Sequence, residues 1–559
     1  MNTPSLQQLS GPQGIRVLAG VVLGLMPVPA NALNPPPLEA PAVSSETTPV
    51  STEESVQPTF YIRQYRIKGA KELAPVDVES AVYSFMGPEC TQFHVEQARA
   101  ALEKAYRDKG YQTVTVSVPV QEVKHGVVAL QVSEGRVGRL RVKGSRYFSL
   151  QKMKAKTPSL AEGKVPNFND VTRELVALNR NPDRQVTPSI RPGVEAGTFD
   201  VDLTVKDKLP LHGSLELNNR YSPDTTELRL NGAISYGNLW QAGHTLGLSF
   251  QVAPERPKDA TVYSALYSMP IESVDGLSLT VNGTKQDSDV STLGGAAVAG
   301  RGYMAGMRLN KTLPQGKSYF HSLSGGFDFK HFDQNVRFAG TDTVTPIDYF
   351  PFSLTYGGTQ VAKTHSTDVN ASLVFHFRGM GSASDAYDDK RFKAGGAFVY
   401  LRADASHTQD LNNGMQVFAK LQGQIASGPL VDSEQFSGGG LGSARGYLES
   451  TALGDNGVFG SVEVRSPSLI PIVLKEGETR PSRPNEWRFH AFCDAGILSN
   501  HDPLPEQDSD FSLASVGLGS RFRVRDHFNG SLDAAIPLLD QGTTEAGDIT
   551  VTFRMWTDF

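Results

Sequence analysis

The chain has 559 residues, a formal net charge of −6 at pH 7 and a hydrophobic content of 39 %. This length exceeds the roughly 100–200 residues of one ordinary domain, and the charge offers no electrostatic basis for binding nucleic acid. After the first 30 residues, no run approaches the roughly 18 apolar residues that a membrane helix needs. The composition therefore argues against a nucleic-acid-binding protein and against a bundle of membrane helices.

The N-terminus has the pattern of an export signal. Arg16 precedes the apolar run Val17–Val28, and Ala30-Asn31-Ala32 has the small-x-small shape of a signal-peptidase site. An ordinary apolar helix or a misassigned start codon is the alternative. We expect a signal peptide over residues 1–32, followed over residues 33–58 by a Pro/Ser-rich linker that cannot bury enough apolar surface to fold.

Two related segments then follow, Tyr65–Gly69 and Leu140–Gly144, with 75 residues between their starts. Each is followed by apolar residues at helical spacing and then by residues that alternate with the period of a strand. This repetition predicts two α+β modules, over residues 59–135 and 136–208. Two unremarkable α+β domains would have the same pattern. A sheet this small exposes an edge, which can accept an extended peptide as an added strand.

From residue 209 to the C-terminus, short alternating segments predict about 16 antiparallel strands. The connections alternate in length, as in outer-membrane barrels with tight periplasmic turns and long surface loops. The short class includes Asn238–Gly243 and Leu313–Gly316, and the long class includes Ser288–Arg301, Asp333–Ile347 and Gly379–Lys393. Ser468–Pro484 is an exception, a long segment on the short side. The predicted fold class is thus an all-β transmembrane barrel preceded by two α+β modules, with a soluble β-sandwich as the alternative.

The last predicted strand supports a barrel in lipid. Its alternate residues are mostly apolar and end on an aromatic residue; they are Val551, Phe553, Met555, Thr557 and Phe559. This phasing is typical of a lipid-facing stripe that ends at an interfacial aromatic girdle. An even strand number also places both barrel ends on the periplasmic side, where the two modules are expected.

Two segments stand out within the barrel sequence. Gln435–Ser450 is a long glycine-rich stretch that carries Arg445, and Ala491–Gly496 carries Asp494. An arginine fork suits a carboxylate, so the two side chains are candidates for a pair. Their spacing alone favours a weaker arrangement, a surface arginine on a flexible loop and an aspartate in a turn.

These residues resemble a known family. Ser443–Tyr447 resembles the Val-Arg-Gly-Tyr/Phe loop tip of the two-partner secretion outer-membrane transporters of the haemolysin activator (ShlB/FhaC/HecB) type. Phe492–Gly496 resembles the aromatic-x-Asp-x-Gly motif of their strand thirteen, and Glu463–Pro467 resembles the end of strand twelve. Asn179–Asp183, followed by Pro192-Gly193, resembles the second POTRA module of the same family.

The resemblance implies a fold, two periplasmic POTRA modules before a 16-strand barrel, and a set of site residues. The pore-loop motif Arg445, Gly446 and Tyr447 would fold back into the lumen, where Arg445 meets the barrel-wall partners Asp494 and Gly496. Phe559 would be the C-terminal barrel signature. The chain departs from the family at Ala444, where valine is usual, and at Cys493, where a large residue is common and which we expect to face lipid. Residues 34–58 are too proline-rich for the plug helix of some relatives.

The sequence gives little support for an enzymatic function. Gly316-Lys317-Ser318 resembles the end of a phosphate-binding loop, but Lys311 occupies the position that requires glycine, so a hairpin turn is preferred. No zinc-protease or serine-hydrolase motif is present. We therefore predict no catalytic residue, no cofactor and no metal. The carboxylates Asp388, Asp389, Asp432 and Glu434 are predicted on surface loops, where solvation is the default and a calcium site the alternative.

The resulting expectation is a protein of the bacterial outer membrane with porin activity that secretes one partner exoprotein. Its POTRA modules would recognise an extended export signal. Other expected partners are outer-membrane lipid and the barrel assembly machinery, with no nucleic acid. One alternative is an assembly factor for outer-membrane proteins, which usually has more POTRA modules. The other is a passive porin, which would leave the modules and the Arg445–Asp494 match unexplained.

Overall fold

The computed structural model describes residues 59–291, 298–316, 318–338, 341–470, 485–505, 507–525 and 527–559. These residues form two compact units that divide between Pro210 and Leu211. Within the described ranges, no helix has both the length and the apolar character needed to cross a bilayer. The expected signal peptide and linker lie outside the described residues, as do Lys317 and most of the segment Ser468–Pro484.

The first unit begins with a module over the first of the two sequence repeats. Its elements are β1 (Phe60–Ile62), β2 (Gln64–Lys68), α1 (Pro75–Tyr83), β3 (Gly87–Cys90), α2 (Gln92–Asp108), β4 (Val114–Ser117) and β5 (Val127–Glu134). A three-stranded sheet has the order β2-β5-β4, with β2 parallel to β5. Helix α2 buries one stripe because its apolar residues recur at helical spacing; Val95, Ala98, Leu102 and Tyr106 are buried.

The second module has the same plan. Its elements are β6 (Arg136–Lys143), α3 (Leu150–Ala155), a 3₁₀ turn (Pro158–Leu160), α4 (Phe168–Asn179), β7 (Arg184–Pro192) and β8 (Thr198–Asp207). The sheet order is β6-β8-β7, so β7 is an edge strand. Most of its residues are exposed from Thr187 onward. Since β8 alone pairs with β7 among the described residues, the other edge of β7 is open to an added strand from Thr187 onward, except that Pro188 and Pro192 have no N–H to donate. Nearer the start of β7, the side chain of Asn179 already bonds the backbone of Val186.

The repeated sequence pattern has a structural cause. Gly69 and Gly144 end the equivalent strands β2 and β6, and each has a φ of +88°. A Cβ would lie 2.3 Å from the carbonyl oxygen of Val132 at the first glycine and 2.5 Å from that of Val205 at the second. Both positions therefore need glycine for conformation and for a close approach to the neighbouring strand.

The second unit is a closed antiparallel barrel. Its strands are β9 (Leu211–Asn218), β10 (Arg229–Leu239), β11 (His244–Val252), β12 (Ala260–Pro270), β13 (Leu277–Ser291), β14 (Val298–Thr312), β15 (Tyr319–Phe338), β16 (Thr341–Tyr349), β17 (Phe352–Val361), β18 (His365–His376), β19 (Phe398–Asp410), β20 (Gln416–Ala426), β23 (Asn456–Arg465), β24 (Glu486–Ser499), β25 (Asp510–Val524), β26 (Phe528–Pro537) and β27 (Thr550–Asp558). The short strands β21 (Phe436–Gly438) and β22 (Ala452–Gly454) form a separate hairpin.

In the described residues, sixteen of these seventeen strands form the wall. The exception is β16, which pairs only with the distal half of β15, while the first half of β15 pairs with β17. The expected fold class is thus confirmed, but two predicted loops are wrong in part. Within Ser288–Arg301, β13 continues to Ser291 and β14 begins at Val298; within Asp333–Ile347, β15 continues to Phe338 and β16 begins at Thr341. The strands extend because backbone groups pair across the hairpin, and Thr341–Thr345 is rich in residues that favour strands. The loop Gly379–Lys393 contains a short helix, α5 (Ser384–Asp388).

The barrel closes between β27 and β9, where Phe559 contacts Gly213. The two residues exchange backbone hydrogen bonds of 3.0 and 3.1 Å. A Cβ on Gly213 would lie 2.3 Å from Cζ of the Phe559 ring, so the ring packs directly on the glycine backbone. Val551 and Met555 of the last strand are exposed on the outer surface with Phe559, in agreement with the predicted lipid-facing stripe.

Candidate functional site

A long connection between β20 and β23, residues 427–455, returns into the barrel and is called the pore loop here. It contains a 3₁₀ turn at Asp432–Glu434 and the hairpin of β21 and β22, in which Phe436 pairs with Gly454. The loop packs against the inner wall through a buried apolar cluster, formed by Phe436, Ala444, Tyr447, Ala452, Phe459, Leu498 and Leu513. The glycine-rich sequence thus lies inside the barrel.

Two glycines create the space for this packing. A Cβ on Gly438 of the loop would lie 2.5 Å from the ring of Phe459, and a Cβ on Gly496 of β24 would lie 2.0 Å from it. The Phe459 ring therefore fills a slot between loop and wall that any larger residue at either glycine would close. This gives Gly496, in the aromatic-x-Asp-x-Gly motif, a steric role.

Arg445 lies at the tip of the pore loop and is 2 % exposed. Its Nε and Nη2 donate to the two carboxylate oxygens of Asp494 at 2.7 and 2.8 Å, and its backbone N–H donates to Asp494 Oδ2 at 3.1 Å. Its Nη1 donates to Glu463 Oε1 at 2.7 Å. The guanidinium lies 3.4 Å from the centroid of the Phe492 ring. The fork, the backbone amide and the ring together set one orientation for the loop tip.

Further charges surround this contact on the inner faces of β23, β25 and β26. Glu463 also accepts hydrogen bonds from Arg465 at 2.8 Å and from Arg521 at 2.7 Å. Asp533 Oδ1 lies 2.6 Å from His490 Nε2 and 3.7 Å from Arg445 Nη1. Three arginines thus face three carboxylates. Such a cluster tolerates burial because each charge has counter-charges and hydrogen bonds, whereas loss of one member leaves an uncompensated charge.

The next two loop residues contact the wall between β25 and β27. The Tyr447 hydroxyl lies 3.0 Å from the carbonyl oxygen of Ala514 and 2.8 Å from that of Leu539. Gly446 has a φ of +95°, and its carbonyl oxygen accepts a hydrogen bond from Thr550 at 2.9 Å. The motif therefore spans the inner surface from β23 to β27.

The base of the pore loop is held by two buried carboxylates. Asp455 accepts hydrogen bonds from the backbone N–H groups of Leu430 and His501 and from the side chains of Arg391 and Gln435. It therefore joins the pore loop to the β18–β19 and β24–β25 connections.

Glu434, in the 3₁₀ turn, accepts from Lys330 at 2.5 Å and from the hydroxyls of Tyr349 and Tyr400 at 2.7 Å each. The prediction that Glu434 lies on a surface loop is wrong, because the turn folds inward and the aromatic and ammonium groups replace its water. Asp388 and Asp389 are exposed, and Asp432 is half-buried. Within the described ranges, no group of His, Cys, Asp and Glu side chains is arranged to hold a metal ion.

The structure brings together most of the residues singled out in the sequence. Arg445, Gly446, Tyr447, Asp494 and Gly496 lie at one site, whereas Phe559 lies at the barrel seam. Cys493 faces outward and Cys90 is buried in the first module, and neither forms a disulfide.

Sequence reasoning missed three partners of this site: Arg521, Asp533 and His490. It quoted Glu463 as part of a motif without assigning it a contact. A usable signal was present, because these residues are polar at inward positions that alternate with lipid-facing apolar ones.

The fold and the site define a class: an outer-membrane β-barrel transporter with periplasmic N-terminal modules. Residues 60–135 match the model of the POTRA domain, ShlB-type. Residues 197–522, more than half of the chain, match the model described as haemolysin secretion/activation protein ShlB/FhaC/HecB. The chain therefore belongs to this family, the two-partner secretion transporters of the bacterial outer membrane.

Relatives with known names agree. The outer membrane transporter CdiB of Dickeya dadantii is 23 % identical over 84 % of this chain and 81 % of that protein. The hemolysin transporter protein ShlB of Serratia marcescens is 21 % identical over 77 % of this chain and 78 % of that protein.

Solved structures show the same fold. CdiB from Escherichia coli has a TM-score of 0.60 at 21 % identity, covering 92 % of this chain and 93 % of that chain. BamA from Haemophilus ducreyi lacking POTRA domains 1-3 has a TM-score of 0.53 at 17 % identity, covering 89 % of this chain and all of that chain. The family match favours secretion over the assembly-factor alternative.

Proposed function

We propose that this transporter captures an extended export signal of one secreted partner on its N-terminal modules and passes that partner, unfolded, through the barrel lumen. The observation that carries the proposal is the buried contact of Arg445 with Asp494 and Glu463, which holds a folded loop inside the pore. The site residues have no catalytic task in this proposal: Arg445, Gly446 and Tyr447 set the loop, and Asp494 and Gly496 receive it.

The domain organisation is part of the proposal. Residues 59–135 and 136–208 serve as two POTRA modules, and residues 209–559 form the pore with Phe559 closing its seam. A signal peptide over 1–32 and a linker over 33–58 precede them. The edge of β7 from Thr187 to Pro192 supports capture by strand addition, because no other described strand covers it. Its outward backbone groups can pair with a peptide, apart from the N–H that Pro188 and Pro192 lack. Outer-membrane lipid contacts the apolar outer face, and the barrel assembly machinery inserts the chain. Folding of the partner outside the cell supplies direction.

Deletion of the gene tests the proposal directly. Proteins in the medium and in the outer membrane are compared with the parent strain by mass spectrometry. We expect one large exoprotein to disappear from the medium while the outer-membrane proteins stay at their normal levels. A general loss of outer-membrane proteins would instead support the assembly-factor reading, and a change only in small-solute uptake would support a porin.

The role of the loop is tested by Arg445→Ala, complemented into the deletion strain. The barrel should still insert in the outer membrane, but secretion of the partner should stop. Lys420→Ala is the matched control, because Lys420 also donates to the pore loop, to the Gly442 carbonyl oxygen at 3.2 Å, yet is not fully buried. Normal secretion by a stably inserted Arg445→Ala protein contradicts the assigned role.

A further inference from the structure

The three carboxylates around Arg445 differ in how many of their oxygens are hydrogen-bonded. Both oxygens of Asp494 accept from Arg445, and both oxygens of Glu463 accept from arginines. In Asp533, Oδ1 lies 2.6 Å from His490 Nε2, but Oδ2 has no hydrogen-bond partner among the described residues. Because Asp533 is 1 % exposed, an unbonded oxygen there is costly. Asp533 can therefore accept a further donor that the docked loop does not supply.

This carboxylate lies within reach of Arg445. The Nη1 atom of Arg445 is 3.7 Å from Asp533 Oδ1, which is too far for a hydrogen bond but close enough for ionic attraction. The next loop residue also lies at the same strand, because a Cβ on Gly446 would be 3.3 Å from the Cβ of Ala535. Ala535 is the next buried, inward-facing residue of β26 after Asp533. The loop tip therefore contacts β24 through Asp494 and also lies against β26.

Two rings that lie over glycines form the surface between β24 and β26. Strand β25 runs between them, and its Gly519 pairs with His490 on one side and with Asp533 on the other. A Cβ on Gly517 would lie 2.3 Å from the Phe492 ring, and a Cβ on Gly519 would lie 2.4 Å from the His490 ring. The rings occupy the space that side chains of β25 would need, so β25 contributes no side chain at these two positions.

This aromatic surface allows a guanidinium to shift across it. The Arg445 guanidinium lies 3.4 Å from the centroid of the Phe492 ring, and the centroids of the Phe492 and His490 rings are 6.0 Å apart. A cation is attracted to the whole face of a ring, whereas its hydrogen bonds to Asp494 need a narrow geometry. A sideways shift therefore breaks the hydrogen bonds before it ends the ring contact. A shift toward His490 brings the guanidinium to the unbonded oxygen of Asp533.

We propose that Asp533 is an alternative partner for Arg445, to which the guanidinium crosses from Asp494 over the Phe492 ring when the pore loop is displaced. The inference rests on the proposed role of the loop in secretion and adds a positioning residue to it. Departure from Asp494 without a new partner would leave a buried charge unpaired. With Asp533 as the second partner the charge stays paired, so the loop tip can leave β24 while β26 still holds it. Two discrete arrangements of one contact form a switch.

A structure of the full-length Asp494→Asn protein in lipid nanodiscs tests the alternative partner directly. The substitution removes the charge that holds the guanidinium at β24, so a guanidinium nitrogen is expected within about 3.2 Å of Asp533 Oδ2. A guanidinium that stays beside position 494, or that points into the lumen away from Asp533, overturns the proposal.

Proteolysis of the pore loop in detergent micelles gives a second readout. Asp533→Asn should raise the rate of cleavage between residues 435 and 450 about tenfold more in the Asp494→Asn background than in the parent protein, because only there does Asp533 hold the arginine. Ser531→Ala is the matched control, since Ser531 is buried on the same strand and its hydroxyl has no hydrogen-bond partner among the described residues. Its effect should be the same in both backgrounds. Equal effects of Asp533→Asn in the two backgrounds overturn the proposal.

Secretion by the complemented deletion strain connects the switch to function. Asp533→Asn should lower export of the partner although the barrel inserts normally, whereas Ser531→Ala should export as the parent does. Parental export by Asp533→Asn overturns a role of the switch in secretion. The structural and proteolytic measurements need no secreted partner. If no exoprotein depends on this gene, the proposed function fails, while those two measurements still decide whether Asp533 receives Arg445.

Discussion

Replacing Arg445 by methionine removes the guanidinium but keeps an unbranched apolar stem. The variant loses the two side-chain hydrogen bonds to Asp494, the one to Glu463 and a further one of 3.0 Å to Ser461. Breaking a buried ion pair by removing one partner costs about 3–5 kcal/mol. At about 1.4 kcal/mol per tenfold change in an equilibrium constant, the docked state of the pore loop should lose about two to three and a half orders of magnitude relative to the undocked state.

Limited proteolysis of the full-length protein in detergent micelles measures this change. Cleavage between residues 435 and 450 follows the population of the undocked loop when opening and closing are fast relative to cleavage. We expect cleavage in Arg445→Met to be faster by up to about two to three and a half orders of magnitude. Cleavage in the control Lys420→Met should change little. The double variant Arg445→Met/Asp494→Asn should destabilise the docked loop by less than the sum of the two single effects, because Asp494→Asn removes the carboxylate that Arg445→Met leaves unpaired. Parental protease resistance in Arg445→Met would refute the reasoning.

Three further outcomes are expected. Gly496→Ala should lower the barrel's thermal unfolding midpoint, measured by heat-dependent gel mobility, because overpacking against the aromatic ring costs about 1–3 kcal/mol; an unchanged midpoint would contradict the steric role. Glu434→Gln should raise single-channel conductance in planar bilayers by loosening the turn, while Asp432→Asn should leave it unchanged. Burial alone would raise the pKa of Asp207, but donors including the Tyr147 N–H and the Ser145 hydroxyl outweigh burial and hold it below its ordinary value of 3.8. The stabilisation that Asp207 gives residues 136–208 is therefore fully present above pH 3.8 and is lost as the pH falls through the lower pKa of the folded state. In urea titrations followed by hydrogen exchange of this segment, Asp207→Asn should lose less stability on acidification than the parent protein.

The resemblance of a few short motifs to a known family predicted a contact that local sequence patterns could not predict. Alternation along β27 correctly indicated that Val551, Met555 and Phe559 are exposed on the outer face, because side chains on a strand alternate with period two. The repeated glycines at 69 and 144 marked equivalent strand ends, because both need a backbone that other residues adopt at a cost. In contrast, nothing local placed Arg445 near Asp494, since 49 positions separate them. Only the resemblance to a family favoured that pair over a surface arginine and an aspartate in a turn.

The sequence by itself determined the two α+β modules, the barrel and the family of this protein. Those properties follow from periodicity, glycine positions and motifs that are read along the chain. The tertiary structure alone decided that Glu434 is buried, that Arg521 and Asp533 join the charged network, and that β16 adds a hairpin outside the wall. The physical reason is that period-two alternation specifies the face on which a side chain lies, while its burial and its ionic partners depend on which distant segment packs over that face.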